Sequence, residues 1–154
     1  MKHLLLVLTV IWTMNAWSSN EANVDKNGVM LSGFDPVSYF IAKQPQPGLA
    51  QFQTTYSGGV YWFSSEENRQ LFLKEPKKYE PQFGGWCAYA VADSKSKVEV
   101  DPQSYLIQDG RLLLFYNGFW GNTREKWLHT KNKDPKTFLQ EADAHWPAVK
   151  TKEP

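Results

Sequence analysis

Cys87 is the residue whose type most directly offers chemistry, and it is the only cysteine of the 154-residue chain. A thiolate is both a nucleophile and a soft metal ligand. A free cysteine is also among the most often buried residue types, and Ala88 and Val91 indicate apolar surroundings. A lone thiol in an oxidising compartment is open to intermolecular disulfides or redox reactions. Three interpretations of Cys87 therefore stay open: a core residue, a metal ligand and a redox-reactive thiol.

His129 and His145 are the other candidate metal donors. His145 shares one face of a predicted last helix with Phe138, Ala142 and Trp146, which is more typical of a packed histidine than of a ligand. His129 lies near the end of the preceding predicted helix, where a cationic imidazole favours the helix dipole. Because the two histidines do not form a His-x-His or His-x₃-His pair, no single helix predicts a two-histidine clamp.

The serines and acids do not form a recognisable catalytic motif. Ser38 and Ser64 lack the context of a nucleophile elbow, and the sequence contains no glycine-rich phosphate loop. Asp35 and Asp101 each precede a proline, which indicates helix-cap and turn roles. We therefore expect a chain that is not an enzyme. A thiol-dependent activity of Cys87 with a histidine is the remaining catalytic alternative.

The composition predicts one globular domain. Hydrophobic residues make up 42% of the chain and charged residues 21%, as in folded proteins. The formal net charge is only +1, so we do not expect nucleic acid as a partner. A single cysteine excludes an internal disulfide and any zinc site that needs two thiolates from one chain. Packing must therefore stabilise the fold.

Residues 1–18 predict a secretory signal peptide. Lys2 and His3 precede an apolar run over residues 4–12, and Ala16 and Ser18 are small residues of the kind that a signal peptidase recognises. The run has about half of the roughly 20 residues that a membrane-spanning helix needs, and no cysteine follows it to carry a lipid. We predict cleavage after Ser18, a secreted or periplasmic location, and no stable membrane insertion of the mature protein.

Turn and cap signals predict an α+β fold in which short antiparallel hairpins pack against three to four helices. The predicted strands are residues 29–31, the pair 52–56 and 60–63 around Ser57-Gly58-Gly59, and the pair 105–108 and 111–116 around Asp109-Gly110. The predicted helices are residues 37–41, 64–74 with a capping box of Ser64 and Glu67, 122–130, and 134–146. Cys87 is expected to begin a strand or to lie beside one, and Pro147 to close the ordered chain.

The domain organisation follows from these elements. Residues 19–27 are polar and lack periodicity, so we predict a flexible lead-in after the signal peptide. The compact domain is predicted over residues 28–147, and residues 148–154 are predicted to be a C-terminal tail. The sequence shows no internal repeat.

Four ordered motifs resemble the YHS-domain family, and more closely its small secreted bacterial members. They are residues 33–40 (GFDPVSYF), 61–72 (YWFSSEENRQLF), 76–79 (PKKY) and 84–90 (GGWCAYA). The resemblance covers about residues 28–147. Related members occur in metal-handling proteins, where an Asp-Pro-Val-Cys-Gly-Met segment and a Tyr-Phe-Cys-Ser segment supply cysteines. The resemblance therefore implies a binding module linked to metals.

This chain departs from the metal-binding pattern at its cysteines. Ser38, Ser64 and Asn68 stand where those relatives would offer thiols. Hydroxyl and amide groups bind Cu(I) or Zn(II) far more weakly than thiolates do. Cys87 is thus the only soft donor left, and it lies in a different motif.

We therefore predict a secreted, periplasmic YHS-domain binding protein whose ligand is a transition metal, copper ahead of zinc, held through Cys87. No other cofactor is expected. The alternative is a structural or interaction module that binds a partner protein or a small apolar ligand, with Cys87 buried in the core. Five aromatic residues could line such a pocket or simply form the core: Tyr39, Tyr61, Phe63, Tyr79 and Trp86.

Overall fold

The computed structural model describes residues 21–154 and confirms the predicted α+β fold. The strands are β1 (Leu49–Tyr56), β2 (Gly59–Phe63), β3 (Asp101–Gln108), β4 (Arg111–Phe115), β5 (Asn117–Gly118) and β6 (Gly121–Asn122). The α-helices are α1 (Ser38–Ile41), α2 (Glu66–Lys74), α3 (Pro76–Tyr79), α4 (Ala88–Asp93), α5 (Thr123–His129) and α6 (Pro135–Val149). Single 3₁₀ turns cover Leu31–Gly33 and Gln82–Gly85. The predicted signal peptide lies outside the described residues.

The two predicted hairpins are confirmed. β1 pairs with β2 and β3 pairs with β4, both antiparallel. Asp109 and Gly110 have φ of 52° and 74°, the left-handed conformation that a tight hairpin turn requires. Ser57 and Gly58 take the same conformation in the first hairpin, so Gly59 belongs to β2 rather than to the turn.

Of the two placements expected for Cys87, the structure shows the second, because residues 88–93 form α4 and not a strand. The buried face of α4 carries Ala88, Val91 and Ala92, small side chains that allow it to pack closely on α6. Cys87 precedes this helix and does lie beside a strand, since it forms a parallel bridge with Leu114 of β4. The apolar pattern alone did not distinguish a buried strand from a short buried helix.

One helix cap differs from the prediction. The N-cap of α2 is Ser65, whose hydroxyl accepts a 3.2 Å hydrogen bond from the Asn68 backbone N–H, and not Ser64. Pro76 ends α2 as predicted but also opens α3, where proline suits the first helical turn. Asn122 and Asp134 cap α5 and α6 as predicted.

Both predicted ends of the domain differ from the structure. The predicted flexible lead-in, residues 19–27, overlaps a segment that packs on the domain from Glu21 onward: the Asn23 N–H donates to the Gly84 carbonyl at 2.7 Å, and the Trp86 indole donates to the Glu21 carbonyl at 3.0 Å. At the other end Pro147 lies inside α6, which continues to the buried Val149. Burial of Val149 stabilises a last turn that a proline would otherwise be expected to end.

The predicted strand at residues 29–31 is reduced to isolated bridges and the first 3₁₀ turn.

β4 separates the core into two clusters, because successive side chains of a strand point to opposite faces. Leu113 and Phe115 pack in one cluster, together with Trp127 and the buried faces of α4 and α6. Leu112 and Leu114 pack in the other cluster, which surrounds Phe72. Within residues 21–154, no helix is long and apolar enough to cross a membrane.

Candidate functional site

Asp35 lies at the centre of a closed polar network and is 0% exposed. One carboxylate oxygen, Oδ1, accepts a 2.9 Å hydrogen bond from the Val37 N–H. The other, Oδ2, accepts from the Ser64 N–H at 2.9 Å, the Ser64 hydroxyl at 2.6 Å and the Asn68 amide at 2.6 Å. Four donors thus compensate the burial of this carboxylate, which would otherwise be costly.

Three elements bring these donors together. Asp35 lies in the turn before α1, Ser64 directly follows β2, and Asn68 lies in the first turn of α2. Because Ser65 caps α2, the N–H and hydroxyl of Ser64 are free to reach back to Asp35. Ser38 ties the same turn to the next loop: its hydroxyl donates to the Asp35 carbonyl at 2.6 Å and accepts from the Gln46 N–H at 2.8 Å.

The structure therefore gathers around Asp35 the three positions at which the sequence departs from the cysteine pattern: Ser38, Ser64 and Asn68. The donor hydrogens of Ser64 and Asn68 point at a carboxylate, and that arrangement does not fit a soft metal ion, which needs thiolate or imidazole lone pairs. The described part of the chain also contains no group of three or more histidine, cysteine, aspartate or glutamate residues placed to hold a metal.

Cys87 lies in a separate and sealed environment. Its side chain is 0% exposed, at the point where the end of β4 meets the first residues of α4 and α5. Sγ lies 3.3 Å from the Thr123 hydroxyl and accepts a 3.4 Å hydrogen bond from the Tyr116 N–H. The Cys87 N–H donates to the Val98 carbonyl. These contacts engage the sulfur and the backbone N–H of Cys87 within the protein.

The two candidate histidines make other contacts. His145 Nδ1 lies 3.3 Å from the Val91 carbonyl, so this residue joins α6 to α4. His129 is 72% exposed, and its Nε2 lies 3.4 Å from Glu125 Oε2, one turn earlier in α5. Neither contact involves Cys87. Asp101 has the turn role expected from its position before a proline, because its carboxylate accepts from the Gln103 N–H.

The five aromatic residues considered for a pocket are all buried: Tyr39, Tyr61, Phe63, Tyr79 and Trp86. Tyr39 and Trp86 each donate a hydrogen bond to a backbone carbonyl, which is usual for a buried polar tip. All five belong to the buried core, and Tyr61 is the one of them that also borders a cavity. Burial raises the pKa of Tyr61, and the nearby Glu80 carboxylate adds to this shift.

A cleft of about 370 Å³ opens where Tyr61 of β2 faces the Gln82–Gly85 turn and the end of α6. Glu80, Arg111 and Trp146 supply other parts of its wall. Partial burial raises the pKa of Glu80, and the charge of Lys77 opposes that shift. This volume is within the range of small-molecule sites, about 300–1,000 Å³. Sequence reasoning missed the cleft because its wall is assembled from distant segments that share no motif.

Arg111 is the cation of this cleft, and its hydrogen-bonding groups are engaged. Its two terminal nitrogens donate to both carboxylate oxygens of Asp143, at 2.9 and 2.6 Å. Its Nε donates to the Gln82 side-chain oxygen at 3.0 Å. Asp143 also raises the pKa of Arg111, so the guanidinium is a fixed part of the wall.

Comparison with known proteins bears on the segment that contains Ser38, Ser64 and Asn68. The family model described as the YHS domain matches residues 37–83. No curated protein and no solved structure matches the chain. The matched segment thus contains the three positions of the polar network and ends before Cys87.

Proposed function

We propose that this chain, which carries a YHS domain over residues 37–83, is a non-catalytic binding module in which a polar network has replaced the metal site of its relatives. The observation that carries the proposal is the four-donor cage around the Asp35 carboxylate. Of the three positions that would supply cysteines in relatives, Ser64 and Asn68 here donate to the Asp35 carboxylate, and Ser38 donates to the backbone carbonyl of the same residue.

The network has a structural role in this proposal. It joins the turn before α1 to the end of β2 and the start of α2, and a 3.1 Å hydrogen bond from the Asn68 amide to the Ser64 hydroxyl links the last two. Hydrogen bonds to a charged acceptor are the stronger kind, each worth about 1.5–3 kcal/mol. The domain therefore holds its shape without a metal, and its binding surface lies elsewhere.

Copper binding through Cys87 stays a prediction and is the second candidate. Cu(I) accepts few ligands, so one thiolate with one further soft donor would suffice in principle. The groups that contact Sγ are the Thr123 hydroxyl and the Tyr116 N–H, which are poor ligands for Cu(I). The surroundings of Cys87 therefore favour the core interpretation.

We also propose that the module works outside the cytoplasm. The support is the sequence pattern of residues 1–18, which is typical of a secretory signal peptide. Intact-mass analysis of the exported protein is expected to give a chain that starts near Ser19. Recovery of the full-length chain in a membrane fraction would contradict export with cleavage.

An anaerobic Cu(I) titration against a competing chelator tests the proposed replacement of the metal site. The parent protein and Cys87→Ser are expected to bind Cu(I) equally weakly, at the level of an unrelated protein with one cysteine. The variant that combines Ser38→Cys, Ser64→Cys and Asn68→Cys is expected to bind Cu(I) much more tightly, because the fold already gathers these positions.

Tight Cu(I) binding by the parent that is lost in Cys87→Ser would overturn the proposal and establish the copper hypothesis. Circular dichroism of the triple variant checks that it folds. The comparison between the parent and Cys87→Ser does not depend on that variant.

A further inference from the structure

We propose that the cleft between Tyr61, Glu80 and Trp146 binds a small organic cation that combines an ammonium group with an aromatic or apolar body. This inference rests on the proposed function only in so far as it assigns a ligand to a non-catalytic module. It places the ligand at the edge of the YHS segment, away from both the Asp35 network and Cys87.

The Tyr61 hydroxyl is the first part of the site. Tyr61 is only 2% exposed, yet it borders the cleft. No hydrogen bond within residues 21–154 involves its hydroxyl, although two other buried aromatic residues, Tyr39 and Trp86, have a hydrogen-bond partner. A hydroxyl that borders a cleft without a protein partner is free to bind a ligand or a water molecule. Its raised pKa keeps the hydroxyl protonated, with lone pairs available to accept.

Glu80 is the second part of the site. Its side chain is half-buried in the cleft wall, and it takes part in no hydrogen bond or ion pair between residues that the structure describes. Desolvation is the main cause of its raised pKa, which means that the carboxylate lacks compensation for its burial. An ammonium group that donates hydrogen bonds to Glu80 and Tyr61 would compensate for the burial of the carboxylate, because its bond to Glu80 is charge-assisted.

An anionic ligand fits the cleft poorly. Its cation, Arg111, already forms a paired contact with Asp143 and a hydrogen bond with Gln82. Glu21 adds a further carboxylate to the rim, and its ion pair with Lys150 is long, at 3.7 Å. Negative charge therefore remains available in the cleft, while positive charge does not.

Aromatic rings supply the rest of the wall. Trp146 and Phe83 pack edge to face, with ring centroids 5.9 Å apart, and both border the cleft. Arg111 already lies over the Phe83 ring, 5.7 Å from its centroid, so the Trp146 ring is the one that would cover the apolar part of an organic amine. The combination of a carboxylate, a hydroxyl and aromatic rings selects an organic ammonium over a bare metal ion.

The backbone beside the cleft is held in an unusual conformation. Phe83 has φ of 53°, which is uncommon for a residue with a side chain, and Gly84 and Gly85 continue the left-handed run. The Asn23 N–H fixes this run by donating to the Gly84 carbonyl. Strained backbone that the surrounding structure maintains is concentrated at binding sites. Here it directs the Phe83 ring towards Trp146.

Three probes of similar size test the charge preference: 2-phenylethylamine, 2-phenylethanol and 3-phenylpropionate. Calorimetry of the whole protein measures each dissociation constant, and NMR shifts of the Trp146 indole and the Gly84 amide locate the binding. We expect the amine to bind at least about tenfold more tightly than the alcohol, as a charge-assisted hydrogen bond implies. The carboxylate is expected to bind least.

Variants assign the selectivity to residues. Glu80→Gln is expected to remove the preference for the amine over the alcohol, and Tyr61→Phe to weaken amine binding without changing the ring contacts. Glu67→Gln, which neutralises an exposed carboxylate on α2, is the matched control and should bind as the parent does. Because Tyr61→Phe removes a single oxygen, it remains informative if Glu80→Gln unfolds.

Equal binding of amine and alcohol, retention of the amine preference in Glu80→Gln, or failure of the amine to shift the Trp146 and Gly84 signals would each overturn the inference. None of these results depends on copper. The Cu(I) titration depends on Cys87 and the aligned cysteine positions, so failure of the proposed function and failure of the cleft inference are distinguishable.

Discussion

Asp35 shows how one buried carboxylate can organise the polar residues around it. The pattern of Asp-Pro-Val followed by Ser38 predicted a cap, and the Asp35 carboxylate does accept from the Val37 N–H. Its second oxygen carries the larger share of the interactions, because Ser64 and Asn68 both donate to it. The hydroxyl of Ser64 and the amide of Asn68 are the donors that this buried carboxylate requires.

Removal of the Asp35 carboxylate is expected to be strongly destabilising. Asp35→Ala should lower the free energy of unfolding by about 3 kcal/mol or more, because each buried donor left without a partner costs about 1–3 kcal/mol. Urea unfolding followed by circular dichroism measures the change. Asp101→Ala is the control, since its partners Gln103 and Asn117 are solvent-exposed. A loss at Asp35 no larger than at Asp101 would show that the network contributes little.

Glu80 provides a prediction on the pH dependence of stability. Its folded-state pKa is raised by desolvation, so its contribution to stability is complete below the ordinary carboxyl pKa, about 4.3, and is lost as the pH rises through the raised value. Glu80→Gln cannot ionise and is expected to melt at a higher temperature than the parent near neutral pH. The difference should disappear as the pH falls towards about 4.

The charge of Lys77 lowers the pKa of Glu80, and the Glu80 carboxylate raises the pKa of Tyr61. Both residues are retained in Glu80→Gln. Glu67→Gln, on the exposed face of α2, should show no such pH-dependent gain. A melting temperature of Glu80→Gln below that of the parent at neutral pH would mean that the carboxylate already has a stabilising partner.

At the scale of elements, the start of α2 separates two serines that look equivalent in the sequence. Both Ser64 and Ser65 precede the helix and are followed by glutamates, so either suits an N-cap. The structure assigns the cap to Ser65, because Ser64 donates to Asp35. A contact with a distant turn therefore shifts the helix start by one residue.

The two serines are expected to differ in the effect of their removal. Ser65→Ala should lower the free energy of unfolding by about 1 kcal/mol, the usual value for a lost cap. Ser64→Ala should cost about 1.5–3 kcal/mol, because it removes a hydrogen bond to a charged acceptor. Chemical unfolding of both variants gives the comparison. Equal losses would contradict separate roles, and a larger loss for Ser65→Ala would mean that the hydrogen bond from Ser64 to Asp35 contributes less to stability than the cap does.

At the scale of the whole molecule, β4 is the element on which both halves of the core depend. Leu112 and Leu114 serve one cluster, while Leu113 and Phe115 serve the other. The aromatic residues fill these clusters, and the cleft forms where the halves meet at the surface. The fold is therefore stabilised by packing, as expected for a chain with a single cysteine.

Replacement of a fully buried tryptophan is expected to lower the free energy of unfolding more than replacement of a partly buried one. Trp127 is 0% exposed and stacks on Phe138 at 5.2 Å, so Trp127→Ala should cost about 3–5 kcal/mol. Trp146 is only partly buried and borders the cleft, so Trp146→Ala should cost clearly less. Equilibrium unfolding measures both losses. A loss for Trp146→Ala that matches Trp127→Ala would mean that the cleft wall is part of the core.

The sequence by itself determined the features that depend on neighbours along the chain. Positive φ at Asp109 and Gly110 follows from local sterics, and the caps at Asn122 and Asp134 follow from side chains that reach the next helical turn. The α+β class follows from these signals together. The resemblance also identified Ser38, Ser64 and Asn68 as positions that belong to one site.

Only the tertiary structure decided what those positions do and where a ligand fits. Asp35 and Asn68 form a hydrogen bond although they are 33 positions apart in the sequence. Tyr61 and Trp146 border one cleft only because Trp146 of α6 packs on Phe83 of the Gln82–Gly85 turn. Residues 88–93 became a helix because α6 offers a surface for small side chains, which no local pattern encodes. Hydrogen bonds and cavities between distant segments depend on packing, and packing is a property of the whole chain rather than of any motif.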